Sequence, residues 1–167
     1  MPPPHEILVQ SEAGALPEHF YVYVAKDSRR NLEIGRSRGV WGWRSEALDR
    51  RNTLDHGTGR DVARSMSIGD YFLLVSGGPG GPRKPEAEFV TTPLDELVIC
   101  RVTRPLYYST RQVWPDDVYP ERIGLDVIDT VGPVQPARLG VSTMRNLHRS
   151  GNNRGIPVTG DDVRPQS

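Results

Sequence analysis

The chain has a single cysteine, Cys100, among its 167 residues. One thiol excludes an internal disulfide and any multi-cysteine zinc site, and its place in an apolar run makes a buried, unreactive thiol the default. A reducing compartment is therefore expected. Long apolar runs are missing too: no segment approaches the ~20 apolar residues of a membrane span. The opening Met-Pro-Pro-Pro-His lacks the basic-then-apolar order of a signal peptide. A cytoplasmic protein with no membrane partner is the expectation. Net charge is also missing, because 21 Lys and Arg balance 21 Asp and Glu. No global field draws the protein onto a polyanion, so any nucleic-acid affinity must come from a local patch.

Catalytic and metal-binding signatures are equally scarce. The four histidines, His5, His19, His56 and His148, stand far apart with no ligand spacing, so neither a metal nor a cofactor is expected. The glycine- and proline-rich run after Ser76 lacks the Gly-Lys-Ser/Thr ending of a phosphate loop and leads into Pro82, which marks it as a connecting loop. Asp116 and Asp117 are neighbours on an extended chain, where successive side chains point to opposite faces, so they make no acid/base dyad and read as solvated loop acids. Cys100 has no sequence-level sign of an activating partner. The chain is not expected to be an enzyme.

What is present is turn-rich. With 17 Gly, 15 Pro and 36% apolar residues, the composition favours short strands and ordered loops. Residues 1–17 read as a proline-rich arm and 161–167 as a frayed tail, leaving one domain over 18–160. Phe20, Val22 and Val24 alternate with Tyr21, Tyr23 and Ala25 as in a strand covered on both faces. Asp27 or Ser28 can cap a short helix carrying Leu32 and Ile34, which Gly35 or Gly39 ends. Extended structure is expected again over Gly39–Trp43, then one helical turn and a loop over Ser45–Gly59, and a second short helix over Asp61–Met66. A tight turn at Ser67–Asp70 leads to a buried strand over Tyr71–Val75. Further strands are predicted at Leu97–Val102 and Arg122–Ile128, and a helix from Leu139 to Ser150. Strands spaced by loops and short helices, without strand-helix-strand alternation, argue for an α+β fold built on a small mixed β-barrel.

Charge is unevenly spread. Between Arg29 and Arg64 nine arginines face five acids, and four more run from Arg138 to Arg154 with no acid, whereas Glu86–Asp129 holds nine acids. The two arginine segments are expected to form one basic face, with the acidic stretch opposite. The unusual local feature is Gly39-Val40-Trp41-Gly42-Trp43, which holds two of the three tryptophans behind Arg36 and Arg38. Indoles two apart on an extended segment share a face unless Gly42 turns the chain. Glycine at 39 and 42 also lets a ligand approach the backbone closely.

These pieces, in order, carry a resemblance: Phe20–Ala25, Asn31, Gly39-Val40-Trp41, Ser67–Ser76 and Val113–Ile123. Together they resemble the EVE domain, a PUA-like family related to YTH domains, and the likeness runs from about Phe20 to Pro157. It implies a PUA-like mixed barrel flanked by short helices, and a module that binds RNA or DNA by accommodating one unpaired or flipped-out modified base, such as N6-methyladenine or a 5-modified cytosine. By the YTH pattern Trp41 would be a wall of an aromatic cage, Asn31 would contact the base edge, and Gly42 would offer backbone atoms. The sequence departs from that pattern where YTH domains have Asn-Pro-Trp-Asn, for it reads Arg145-Asn146-Leu147-His148. Either Leu147 is an apolar wall, or Trp43 or Trp114 replaces the lost indole. The candidate pocket is thus Asn31, Val40, Trp41, Gly42, Trp43, Ser76, Trp114 and Leu147. Arg36, Arg38, Arg145, Arg149 and Arg154 are the candidates for flanking phosphates. The alternatives are an ASCH-type PUA-like ribonuclease, whose lysine and glutamate arrangement is hard to find in a chain with only Lys26 and Lys84, or a non-catalytic scaffold with core tryptophans.

Overall fold

The computed structural model describes residues 17–50, 57–77 and 81–159. The expected arm, apart from Pro17, and the expected tail lie outside these residues, as do 78–80 of the glycine-rich loop. Six strands form one mixed sheet in the order β2-β5-β4-β3-β1-β6, curled into a half-barrel. They are β1 (His19–Val24), β2 (Val40–Trp43), β3 (Tyr71–Ser76), β4 (Glu96–Tyr108), β5 (Glu121–Val131) and β6 (Val158–Thr159). Only β1 and β3 pair in parallel; the other neighbours are antiparallel. The helices are α1 (Arg29–Arg38), α2 (Ser45–Leu48), α3 (Gly59–Arg64), α4 (Glu86–Phe89) and α5 (Val141–Asn152). The α+β class and the small mixed barrel with short helices are as the sequence predicts.

Alternation along the central strands divides the interior in two. Phe20, Val22 and Val24 of β1, Phe72 and Leu74 of β3, and Val98, Cys100 and Val102 of β4 face one cluster, closed by Leu32 of α1, Val62 and Ala63 of α3, and Trp41, Trp43 and Trp114. Tyr21, Tyr23, Leu73, Val75 and Leu97 face the other, where α4 and α5 supply Phe89, Met144 and Leu147. A strand that is buried on both faces shows apolar residues at every position, which is why β1 and β3 read so clearly in sequence.

Local chemistry sets the boundaries. Gly39, with φ of 71°, is the left-handed residue that ends α1, and its N–H donates to the Gly35 carbonyl. Ser28 stands at the N-cap of α1 without making a side-chain cap. The side chain of Thr58 accepts from Asp61 N–H while Asp61 accepts from Thr58 N–H, a reciprocal capping box that starts α3 two residues earlier than predicted. β4 runs six residues past the predicted Val102. Pro105 gives no ladder donor and the outer half is exposed, so no apolar period marks it; the register slips between Arg104 and Tyr107, a bulge that accommodates the proline.

Candidate functional site

A pocket of about 220 Å³ opens where β1, α1 and β2 meet the 109–120 connection and the C-terminal end of α5 with the turn that follows it. Its lining includes Asn31, Trp41, Gly42, Trp43, Arg44, Trp114, Tyr119 and Arg154. The volume lies below the roughly 300–1,000 Å³ of sites for drug-sized molecules, so it suits one ring system.

Three aromatic rings shape the apolar wall. Trp41 and Trp114 meet edge to face, centroids 6.1 Å apart and planes at 79°, and Trp114 meets Tyr119 in the same way at 5.5 Å. Perpendicular rings make a corner and not two parallel plates, and Trp114, 1% exposed, backs that corner behind Trp41. Trp43 also lines the pocket, but its indole N–H donates to the Gly155 carbonyl at 2.8 Å and its ring packs on Phe72. Trp41 and Trp43 therefore share a face, as their spacing requires.

The 109–120 connection has no regular structure of its own, and Arg122 of β5 holds it in place. This arginine is 2% exposed, sits with its guanidinium 5.5 Å from the Trp114 ring, and has no carboxylate partner among the described residues. It donates instead to the carbonyls of Tyr119 (3.1 Å), Val118 (2.9 Å) and Arg111, and to Ser109 Oγ (3.2 Å). A planar fork of donors is suited to collecting several carbonyls at once. Among them is the carbonyl of Tyr119, whose φ of 49° is uncommon for a residue with a side chain. Gly42 makes the inward approach of this segment possible: a Cβ there would lie 2.6 Å from the Tyr119 carbonyl oxygen and 3.1 Å from the Trp114 ring. The space over Gly42 is thus occupied largely by the protein's own loop.

A polar edge faces the aromatic corner. Asn31 Nδ2 donates to both carboxylate oxygens of Asp116, at 3.1 and 3.2 Å, and Tyr119 Oη donates to the same carboxylate at 2.7 Å. Desolvation works against ionisation of Asp116, but the hydrogen bonds from Tyr119 and Asn31 outweigh it and hold its pKa below the usual carboxylate range. The same burial, with the neighbouring Asp116, pushes the Tyr119 phenol up to about 12. Asp117 turns the other way and accepts from Arg44 Nε at 2.6 Å; this bond, with one from Val118 N–H, also lowers its pKa. The Arg44 guanidinium lies 5.2 Å from the Tyr119 ring centroid. The two aspartates therefore have separate partners and do not act as a dyad.

Of the residues expected at the pocket, Asn31, Trp41, Gly42, Trp43 and Trp114 line it together. The structure does not bring Val40, Ser76 or Leu147 to that lining: Val40 is in the same core cluster as Trp41, Ser76 is buried at the end of β3, and Leu147 packs in the second cluster under α5. Among the phosphate candidates only Arg154 reaches the pocket. Arg36 pairs with Glu33 at 2.7 Å and donates to Thr130, Arg149 pairs with Glu86 at 3.8 Å, and Arg38 and Arg145 are exposed on α1 and α5. The expected separation of a basic from an acidic side does not hold. Arg29–Asp95, Arg44–Asp117, Arg60–Glu121 and Arg149–Glu86 each join the arginine segments to the acidic stretch, because folding interleaves them. Arg44, Asp116, Tyr119 and Arg122 were not foreseen at the site. Only the aspartate pair carries a signal, that of solvated loop acids; Asp116 is exposed as that reading has it, and it also accepts from Asn31 and Tyr119.

No family model matches the chain, and no curated protein matches it in sequence. Similar solved structures include the YTH domain-containing protein mmi1 with RNA, at 13% identity and a TM-score of 0.43 over 81% of this chain and 69% of that one. A Toxoplasma CPSF4 YTH domain in its apo form gives 12% and 0.45 over 95% and 96%, and a Pseudomonas putida structural-genomics protein gives 16% and 0.45 over 84% and 90%. Likenesses this remote carry no argument about what the pocket holds. Among the described residues no helix is long and apolar enough to cross a membrane, and no group of three or more His, Cys, Asp or Glu is placed to hold a metal ion.

Proposed function

We propose that this chain is a nucleic-acid-binding reader that takes one unpaired or flipped-out base, a modified one such as N6-methyladenine or a 5-modified cytosine, into the pocket between Trp41, Trp114 and Tyr119. The observation that carries it is the pairing, in a space sized for one ring system, of an aromatic corner with a hydrogen-bonding edge at Asn31 and two arginines, Arg44 and Arg154, in the lining. Apolar walls with a few placed polar groups are what a base requires: faces to stack on and an edge to read.

Stacking on an aromatic side chain contributes about 1–3 kcal/mol per base. A buried methyl adds about 0.8 kcal/mol, roughly a fourfold preference, so stronger selectivity must come from polar groups that the wrong base leaves unpaired. Arg154 and Arg44, both in the lining, are the cations offered to flanking phosphates. The test is binding of short single strands of RNA and DNA, each with one modified or unmodified base, measured at two salt concentrations. Saturable binding that weakens with salt and favours a modified base supports the proposal. No binding by any strand contradicts it, and cleavage of the strands would point to a nuclease.

A further inference from the structure

We propose that Asp116 turns the polar edge of this pocket into an acceptor edge, so that the site selects a base bearing an exocyclic amino group over its keto counterpart. The proposal rests on the base-pocket reading above and adds the class of base. An ionised carboxylate can only accept. Since both oxygens of Asp116 face Asn31 Nδ2, at 3.1 and 3.2 Å, turning the amide over would set Oδ1 against them. Amide orientation is otherwise a choice between near-equal shapes, and here the neighbour dictates it. The other amide hydrogen has Tyr119 Oη at 3.5 Å, and the phenol spends its only proton on Asp116 at 2.7 Å.

The side-chain donors of Asn31 and Tyr119 are therefore committed within this group, and what Asn31, in the pocket lining, can offer a guest is the acceptor Oδ1. Adenine and cytosine carry amino donors at N6 and N4. N6-methylation leaves one N–H, and substitution at C5 leaves the N4 amino group intact. Thymine and hypoxanthine carry a carbonyl at the equivalent position, which would set acceptor against acceptor and leave Oδ1 without a partner.

The test measures dissociation constants for strands that differ at one position: 5-methylcytosine against thymine, and N6-methyladenine against hypoxanthine, with N6,N6-dimethyladenine as a base that loses the donor but keeps its ring nitrogens. For at least one pair the amino base should bind about tenfold more tightly than its keto partner, the dimethylated base should lose a similar factor, and in Asp116→Asn, where Asn31 is free to turn over, the ratio should fall below about threefold. Ratios below about threefold for both pairs in the parent, or a ratio unchanged in Asp116→Asn, would overturn the proposal while the base pocket stands. Failure of every strand to bind above the level of Trp41→Phe would overturn both.

Discussion

The indole N–H of Trp114 donates to the backbone carbonyl of Asn31 at 3.1 Å, in the protein interior. The residue whose side chain forms the polar edge thus also anchors the aromatic wall, through its backbone. Asn31 and Trp114 lie 83 residues apart in the chain, so this bond, beside those from the Asn31 side chain to Asp116, ties stacking surface and reading edge together across α1 and the 109–120 connection. The stacking and reading roles can be separated only by substitutions that leave this backbone bond in place.

Trp41 belongs to the core as well as to the pocket, being 8% exposed. Truncation to alanine is expected to cost about 3–5 kcal/mol of stability, so Trp41→Ala would confuse unfolding with lost stacking. Trp41→Phe keeps a ring and most of the packing. It should lower oligonucleotide affinity by about 1 kcal/mol, at the low end of the range for a stacked base, while the variant still unfolds in one cooperative transition. Calorimetry and a binding titration on the same sample check both halves.

Gly42→Ala should be more damaging than a surface glycine substitution. Its Cβ would meet a backbone oxygen at 2.6 Å, which cannot swing aside like a side chain. The Tyr119 carbonyl must move, and with it an acceptor of Arg122. A loss of about 1–3 kcal/mol in chemical denaturation is expected, as for other overpacked sites, together with weaker binding.

The pocket should keep its hydrogen bonds across the neutral range and lose them at both extremes. The pKa of Asp116 is depressed in the folded chain, so its contribution is present above the ordinary aspartate value near about 3.9 and is lost as the pH falls through the lower native value. The pKa of Tyr119 is raised from 10.0 to about 12, so the contribution of its neutral phenol is full below pH 10.0 and is lost as the pH rises to about 12. Phenolate absorbance of the parent against Tyr119→Phe should show one tyrosine titrating near that upper value.

The same sign applies to Cys100. Burial pushes its thiol up to about 12, with the charge of Asp126 acting in the same direction, so the thiolate is absent at neutral pH. A thiol reagent at mildly alkaline pH should leave the native protein unlabelled and modify one site once denaturant is added. Labelling of the native chain at a free-thiol rate would show that β4 opens readily.

The fold was more legible than the site, for physical reasons. β1 and β3 are buried on both faces and announce themselves as apolar runs, and Gly39 marks the end of α1 by the conformation it alone adopts easily. The outer half of β4 is exposed and interrupted by Pro105, so only pairing with β5 reveals it. At the site, the tryptophans were visible because they are rare. Asp116 was not, because its meaning depends on Asn31, 85 residues away. Arg122 opens the predicted strand Arg122–Ile128, yet it is nearly inaccessible, and nothing local in the sequence distinguishes an arginine that holds four acceptors from one that faces water. Leu147 is one of three alternatives for the second wall by analogy of position, with Trp43 and Trp114, and the amphipathic period of α5 directs it instead into the second core cluster.

The most direct test of the central claim is the affinity of the parent and of Trp41→Phe for a single strand carrying one N6-methyladenine or one 5-methylcytosine, compared with the same strand unmodified. At least one modified strand should bind the parent more tightly than its unmodified counterpart, by fourfold or so or more, and Trp41→Phe should reduce that preference while remaining folded. Equal affinity for modified and unmodified strands, or a parent and variant that bind alike, would contradict a base-reading pocket at Trp41.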